Sequence, residues 1–167
     1  MNTPEARLAR DDEAPVMSMD ERATWVQLIF TALTSTGYLI AVVPQAIEGP
    51  VQDIDWFRPM LWAVVISIVG VIIGSIMAGI GGAIGLTIRG RNVDAELASD
   101  FRDKAIENHS RLRTYWMLML LFLALLVLLA FEVDHFWIAT TLYMGLSVQT
   151  ITAQVVKIRA YRAGFVS

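Results

Sequence analysis

Only two histidines and no cysteine occur in the 167 residues, so metal or acid–base chemistry would have to rest on His109, His135 and the carboxylates near them. His135 follows Glu132 and Asp134, and the segment between the first two apolar runs supplies Glu48, Asp53 and Asp55. Imidazole and carboxylate together are ligands a divalent cation accepts. Their spacing follows no dedicated metal loop, however, and a charged turn that stays in water accounts for the same residues. His109 has no nucleophile and no second histidine near it in sequence, whereas acid–base and nucleophilic catalysis need partners within hydrogen-bond reach. No catalytic, cofactor-binding or metal-ligating residue is assigned, and the chain is read as a non-enzyme.

A second polar set is more regular. Gln27, Thr31, Thr34 and Tyr38 are spaced four, three and four apart, and so are Tyr143, Ser147, Thr150 and Gln154, with Thr140 extending the second series. Each series is one face of a helix. If the two helices run antiparallel, residues at equal depth have numbers adding to a constant, which matches Gln27 with Gln154, Thr31 with Thr150, Thr34 with Ser147 and Tyr38 with Tyr143. Polar side chains facing lipid cost free energy, and an interhelical hydrogen bond recovers about 0.6 kcal/mol on average. The two faces are therefore expected to meet, zipped directly or lining a narrow polar cavity. The competing reading is that the hydroxyls bond back to their own helices.

The elements that carry these residues are apolar runs. Hydrophobic residues make up 56% of the chain and charged ones 17%, with the charges confined to short segments, which places it outside the soluble range. Four spans are expected, at about 25–43, 60–88, 115–133 and 136–156, since about 20 apolar residues cross the hydrocarbon layer. The fold class is thus an all-α integral membrane bundle of four transmembrane helices. Residues 1–22, acidic and without apolar periodicity, read as a disordered tail. The first run is longer than a signal-peptide core and leads into Pro44, so it reads as a retained span. Pro44 to Pro59 reads as a loop with Trp56 and Phe57 as an interfacial anchor.

The second span carries Gly70, Gly74, Ala78 and Gly82 at a spacing of four. Small residues on one stripe let another helix approach closely, so this is the expected packing seam, within the bundle in preference to between copies. Four glycines between Gly79 and Gly85 lower helix propensity, and a bend near Gly81 is expected. No lysine follows them where a phosphate loop needs one.

Between 92 and 114 the pattern changes to that of an amphipathic connecting helix. Val93, Leu97, Phe101 and Ala105 form its apolar stripe, with Asp100 and Lys104, and Glu107 and Arg111, at the acid-first spacing of four. Arginine and lysine set the orientation: three lie in the tail, six between Arg89 and Arg113 and three near the C-terminus, against Arg58 alone in the other two loops. The positive-inside rule then puts both termini and the amphipathic helix in the cytoplasm.

The stretch Asp100-Phe101-Arg102-Asp103-Lys104-Ala105-Ile106, the hairpin His135-Phe136-Trp137-Ile138-Ala139 and the ending Tyr161-Arg162-Ala163-Gly164-Phe165 resemble a group of uncharacterised small prokaryotic membrane proteins. That group carries D-E-R-D, then H-F-W-I-A-N, then Y-R-R-G; here Phe101, Thr140 and Ala163 replace an acid, an asparagine and an arginine. The resemblance implies a four-span prokaryotic protein and transfers no activity.

No charged residue lies deep in any expected span, and ion-coupled carriers generally need one. No basic and aromatic surface suits nucleic acid. The function expected is that of a non-catalytic inner-membrane component, multi-pass in a bacterial plasma membrane, with the lipid bilayer and a protein partner or second copy as its contacts and no cofactor. The alternative is a small oligomeric channel or carrier using the polar face of spans one and four.

Overall fold

The computed structural model describes residues 19–87 and 93–163, with side chains described for 20–77 and 103–162. Four long helices and one short 3₁₀ turn make up the described chain: α1 Met19–Glu48, the 3₁₀ turn Val51–Asp53, α2 Phe57–Thr87, α3 Val93–Ala130 and α4 His135–Ala163. Among the described residues three segments, Asp20–Glu48, Phe57–Met77 and Asp103–Ala130, are long and apolar enough to cross a membrane. With threonines, a serine and two glutamines along its length, α4 is less apolar and is not among them. The chain is all-α and has the character of a membrane protein.

The first helix departs from its expected limits at both ends. Residues 19–22, read as tail, are already helical, and Asp20 and Glu21 sit in the first turn, where negative charge complements the exposed N–H groups. Pro44, expected to end the span, lies inside the helix. Proline removes one N–H and crowds the preceding turn, yet the backbone recovers: Gly49 N–H donates to Gln45 O at 3.2 Å. The Gln45 side chain donates to Ala41 O at 2.7 Å, beside the carbonyl that Pro44 leaves unpaired. The loop therefore starts at Gly49.

In α2 a proline causes no trouble, because Pro59 falls in the first turn, where no intrahelical N–H bond is due. Helix continues through all four glycines from Gly79 to Gly85, with no 3₁₀ turn. The apolar stretch carries them, since in lipid every backbone group must be satisfied internally and helix is the way to do it.

The largest departure is in the second half. The amphipathic connecting helix at 92–114 and the third span at 115–133 are not separate: one 38-residue helix, about 57 Å long at 1.5 Å per residue, runs from Val93 to Ala130. Neither glycine nor proline interrupts it. Of the apolar stripe, Val93, Leu97 and Phe101 lie outside the described side chains, and Ala105 is exposed. The buried face falls one position later, on Ile106, Ser110 and Thr114, because α4 packs along it. Of the two acid–base pairs, Glu107 and Arg111 meet at 2.8 Å on the surface; such exposed pairs contribute well under 1 kcal/mol.

A tight turn joins α3 to α4. Val133 N–H reaches back to Leu128 O and Glu132 N–H to Leu129 O, both at 3.1 Å, with Glu132 at a φ of 51°. This is a Schellman-type ending in which a glutamate occupies the left-handed position usually given to glycine. Asp134 then caps α4, its Oδ1 accepting the Phe136 N–H at 2.9 Å.

Among the described residues the three principal helix pairs are antiparallel. In space the order is α2, α1, α4, α3, with α1 and α4 in the middle and contacts between neighbours. At the loop end of α1 a small apolar core of Tyr38, Val42, Ile54, Ala63 and Phe136 ties the 3₁₀ segment to three helices. Within their most apolar stretches α1 is 28% buried, while α2 and α3 are each only 6% buried. The outer two helices thus turn large side chains such as Ile73, Ile76, Phe122 and Leu126 outward, as lipid-facing helices do.

Candidate functional site

The two polar series lie on the faces by which α1 and α4 touch. At one end Gln154 Nε2 donates to Gln27 Oε1 at 2.9 Å. At the other, the Tyr38 and Tyr143 rings meet edge-to-face with centroids 5.0 Å apart, and the Tyr38 and Thr140 hydroxyls share a hydrogen bond of 2.7 Å. Between these ends the small hydroxyls behave differently. Thr34 donates to Phe30 O at 2.8 Å, Ser35 to Thr31 O at 2.7 Å and Ser147 to Tyr143 O at 2.8 Å, each within its own helix. Thr31, Thr34, Ser147 and Gln154 are all buried. Length suits this division: the long glutamine and tyrosine side chains span the α1–α4 gap, whereas Thr34, Ser35 and Ser147 bond their own preceding turn.

Of the glycine ridge, Gly70 and Gly74 face α1. A β-carbon at Gly70 would overlap the Phe30 ring, and one at Gly74 would overlap Val26 Cγ1. Both glycines thus accept side chains of the same molecule. Ala78 and Gly82 lie outside the described side chains. A third close approach, missed in the sequence, sets Gly145 of α4 under Leu121 of α3.

Also unforeseen is a polar link between α3 and α4. Ser110 donates to Ala153 O at 2.7 Å, and Gln149 donates to Thr114 Oγ1 at 3.2 Å. Ser110 and Thr114 are each 1% exposed. The signal was present, since Ser110 and Thr114 stand in the same numerical relation to Ala153 and Gln149. A change of pattern near Tyr115 obscured it.

Beside the α1–α4 contact lies an open groove of about 410 Å³, with α2 and α4 as walls and α1 as floor. Its polar lining is Gln27, Thr31, Ser67, Tyr143, Ser147 and Thr150. Val64, Ile68, Val71, Ile72 and Leu146 supply the apolar remainder. On α2 the lining recurs at three and four residues, one helical face. Ser67 carried no weight in the sequence, where it is a single serine in an apolar run. Gln154, next to Gln27, keeps its Oε1 buried without a partner among the described residues.

Among the described residues no three histidine or acidic side chains come together as ligands, and His135 is exposed while Asp134 serves as a helix cap. At the other end of the bundle, the Arg162 guanidinium stands 5.5 Å from the Trp25 ring centroid, joining the start of α1 to the end of α4.

No protein-family model matches the chain, and neither a curated protein nor a solved structure does. The resemblance to small prokaryotic membrane proteins therefore rests on its short motifs alone.

Proposed function

We propose that this chain is a non-catalytic component of a bacterial inner membrane. It crosses four times with both ends in the cytoplasm, its α1–α4 pair is a rigid spine, and its outer helices stand against lipid and neighbouring protein. One observation carries the reading: the polar side chains in the middle of the molecule are used for packing. Gln27 bonds Gln154, Tyr38 bonds Thr140, and Thr34, Ser35 and Ser147 are buried and bonded to their own helices. A channel through the α1–α4 contact would need those groups in water.

The fourth crossing is supported by register. Gln27 and Tyr38 are eleven residues apart, about 16 Å along α1, and α4 meets both. Whatever depth α1 spans there, α4 spans too. The cytoplasmic placement of both ends rests on the distribution of arginine and lysine.

Purified protein in liposomes tests the reading. No flux of ions or small solutes above that of empty vesicles is expected, together with a discrete complex larger than a monomer when native membranes are solubilised in mild detergent. Flux abolished by Thr34→Leu, or a bare monomer from native membranes, would overturn it.

A further inference from the structure

We propose that the groove between α2 and α4 binds a neutral amphiphile taken sideways from the bilayer, a molecule with an apolar body and one hydroxyl or carbonyl head. Its volume, about 410 Å³, is in the range of sites for one small ligand. The lining has the matching make-up, an apolar wall with a few convergent polar groups.

Those polar groups are the core of the argument. Among the described residues, the hydroxyls of Thr31, Ser67, Tyr143 and Thr150 have no hydrogen-bond partner, and the Gln27 amide, whose oxygen is taken by Gln154, has none for its NH₂. In hydrocarbon an unpartnered hydroxyl or amide carries a substantial free-energy cost. Ser147 in the same lining avoids that cost by bonding Tyr143 O; its neighbours do not. Register places Thr31 and Thr150 at one depth and Gln27 one turn away, and all three line the same groove.

The class of ligand follows by exclusion. No lining residue carries charge, so an anion would find no cation and a cation no carboxylate, and either would face the cost of losing water uncompensated. A purely apolar chain would leave the hydroxyls and the amide unsatisfied. A hydroxyl or carbonyl head both accepts from Gln27 and exchanges hydrogen bonds with Thr31 and Thr150, and the apolar body lies against Val64, Ile68 and Val71. The groove runs along the edge of the α1–α4 contact and shares Gln27, Tyr143 and Ser147 with it, whereas the proposed function rests on the bonds that close that contact.

The test uses the full chain in lipid nanodiscs with a diazirine-bearing long-chain alcohol as photoprobe. Labelling is expected to concentrate on the groove faces of α2 and α4, to be displaced by unlabelled long-chain alcohol and to resist an alkane of equal length. Ser67→Trp fills the groove from the rim and should lower labelling at least tenfold without changing the thermal midpoint. Thr31→Val with Thr150→Val should weaken competition by the alcohol roughly five-fold or more, the worth of about one net hydrogen bond. Labelling spread over the outer faces of α2 and α3, equal competition by alkane, or insensitivity to Ser67→Trp would each overturn the proposal. So would efficient disulfide formation between two copies carrying Ser67→Cys, since the groove would then belong to a second copy.

Discussion

Two glycine-to-alanine substitutions in this protein should have opposite signs, and the difference can be worked from the packing. At Gly74 a new methyl overlaps Val26 Cγ1 on α1. Valine in a helix keeps one χ1 rotamer in roughly nine cases of ten, so Val26 does not swing aside cheaply and the helices must part. Overpacking of this kind costs about 1–3 kcal/mol, while alanine in place of glycine returns about 1 kcal/mol of helix propensity. Gly74→Ala should therefore destabilise by about 0–2 kcal/mol. Gly37, also helical, has no atom within 4 Å of where its β-carbon would stand, and Gly37→Ala should stabilise by about 0.5–1 kcal/mol. If the clash is the cause, Val26→Ala should rescue Gly74→Ala, with a coupling of about 0.5–3 kcal/mol. Equilibrium unfolding in mixed detergent and SDS, followed by circular dichroism, measures all four variants. Equal shifts for the two glycine variants, or strict additivity of Val26→Ala with Gly74→Ala, would refute the account of the α1–α2 contact.

At the α3–α4 turn, Glu132→Gly should stabilise by roughly 0.5–1 kcal/mol by removing a side chain from the left-handed region, and Asp134→Ala should destabilise by about 1 kcal/mol by removing the cap. The same unfolding assay reads both, and a stabilising Asp134→Ala would count against the cap. Thr114→Val combined with Gln149→Leu should show a coupling near 0.6 kcal/mol in a double-mutant cycle, whereas no coupling would mean that the 3.2 Å bond contributes nothing. For orientation, the cysteine-free chain allows single labels: Gln52→Cys should react with an impermeant maleimide in intact cells and Asn108→Cys only after lysis. The reverse pattern would invert the topology.

How much of this was legible beforehand depended on the range of the interaction. Apolar runs long enough for a bilayer identify themselves, because crossing it requires only length and hydrophobicity. The facing of α1 and α4 was readable because two antiparallel helices with polar groups at equal depth leave a numerical trace, and Gln27, Tyr38, Tyr143 and Gln154 are long enough to act on it. Helix ends were less legible. Pro44 looks like a terminator, but a proline near the end of a helix breaks a single hydrogen bond, and the helix runs on to Glu48.

Length, apolar runs, charge asymmetry and the close-packing glycines of α2 were determined by the sequence alone, since each follows from the chemistry of residues taken singly or a turn apart. Tertiary structure decided what those features meet: Val26 and Phe30 against Gly74 and Gly70, Leu121 over Gly145, and Ser110 and Thr114 against α4. It also turned Ser67, an isolated serine in an apolar run, into part of a polar groove with Thr31 and Thr150. The physical reason is that a groove is a property of three helices at once. Its lining depends on how far α2 and α4 splay across α1, and that angle is set by side-chain interdigitation, which no single helix encodes.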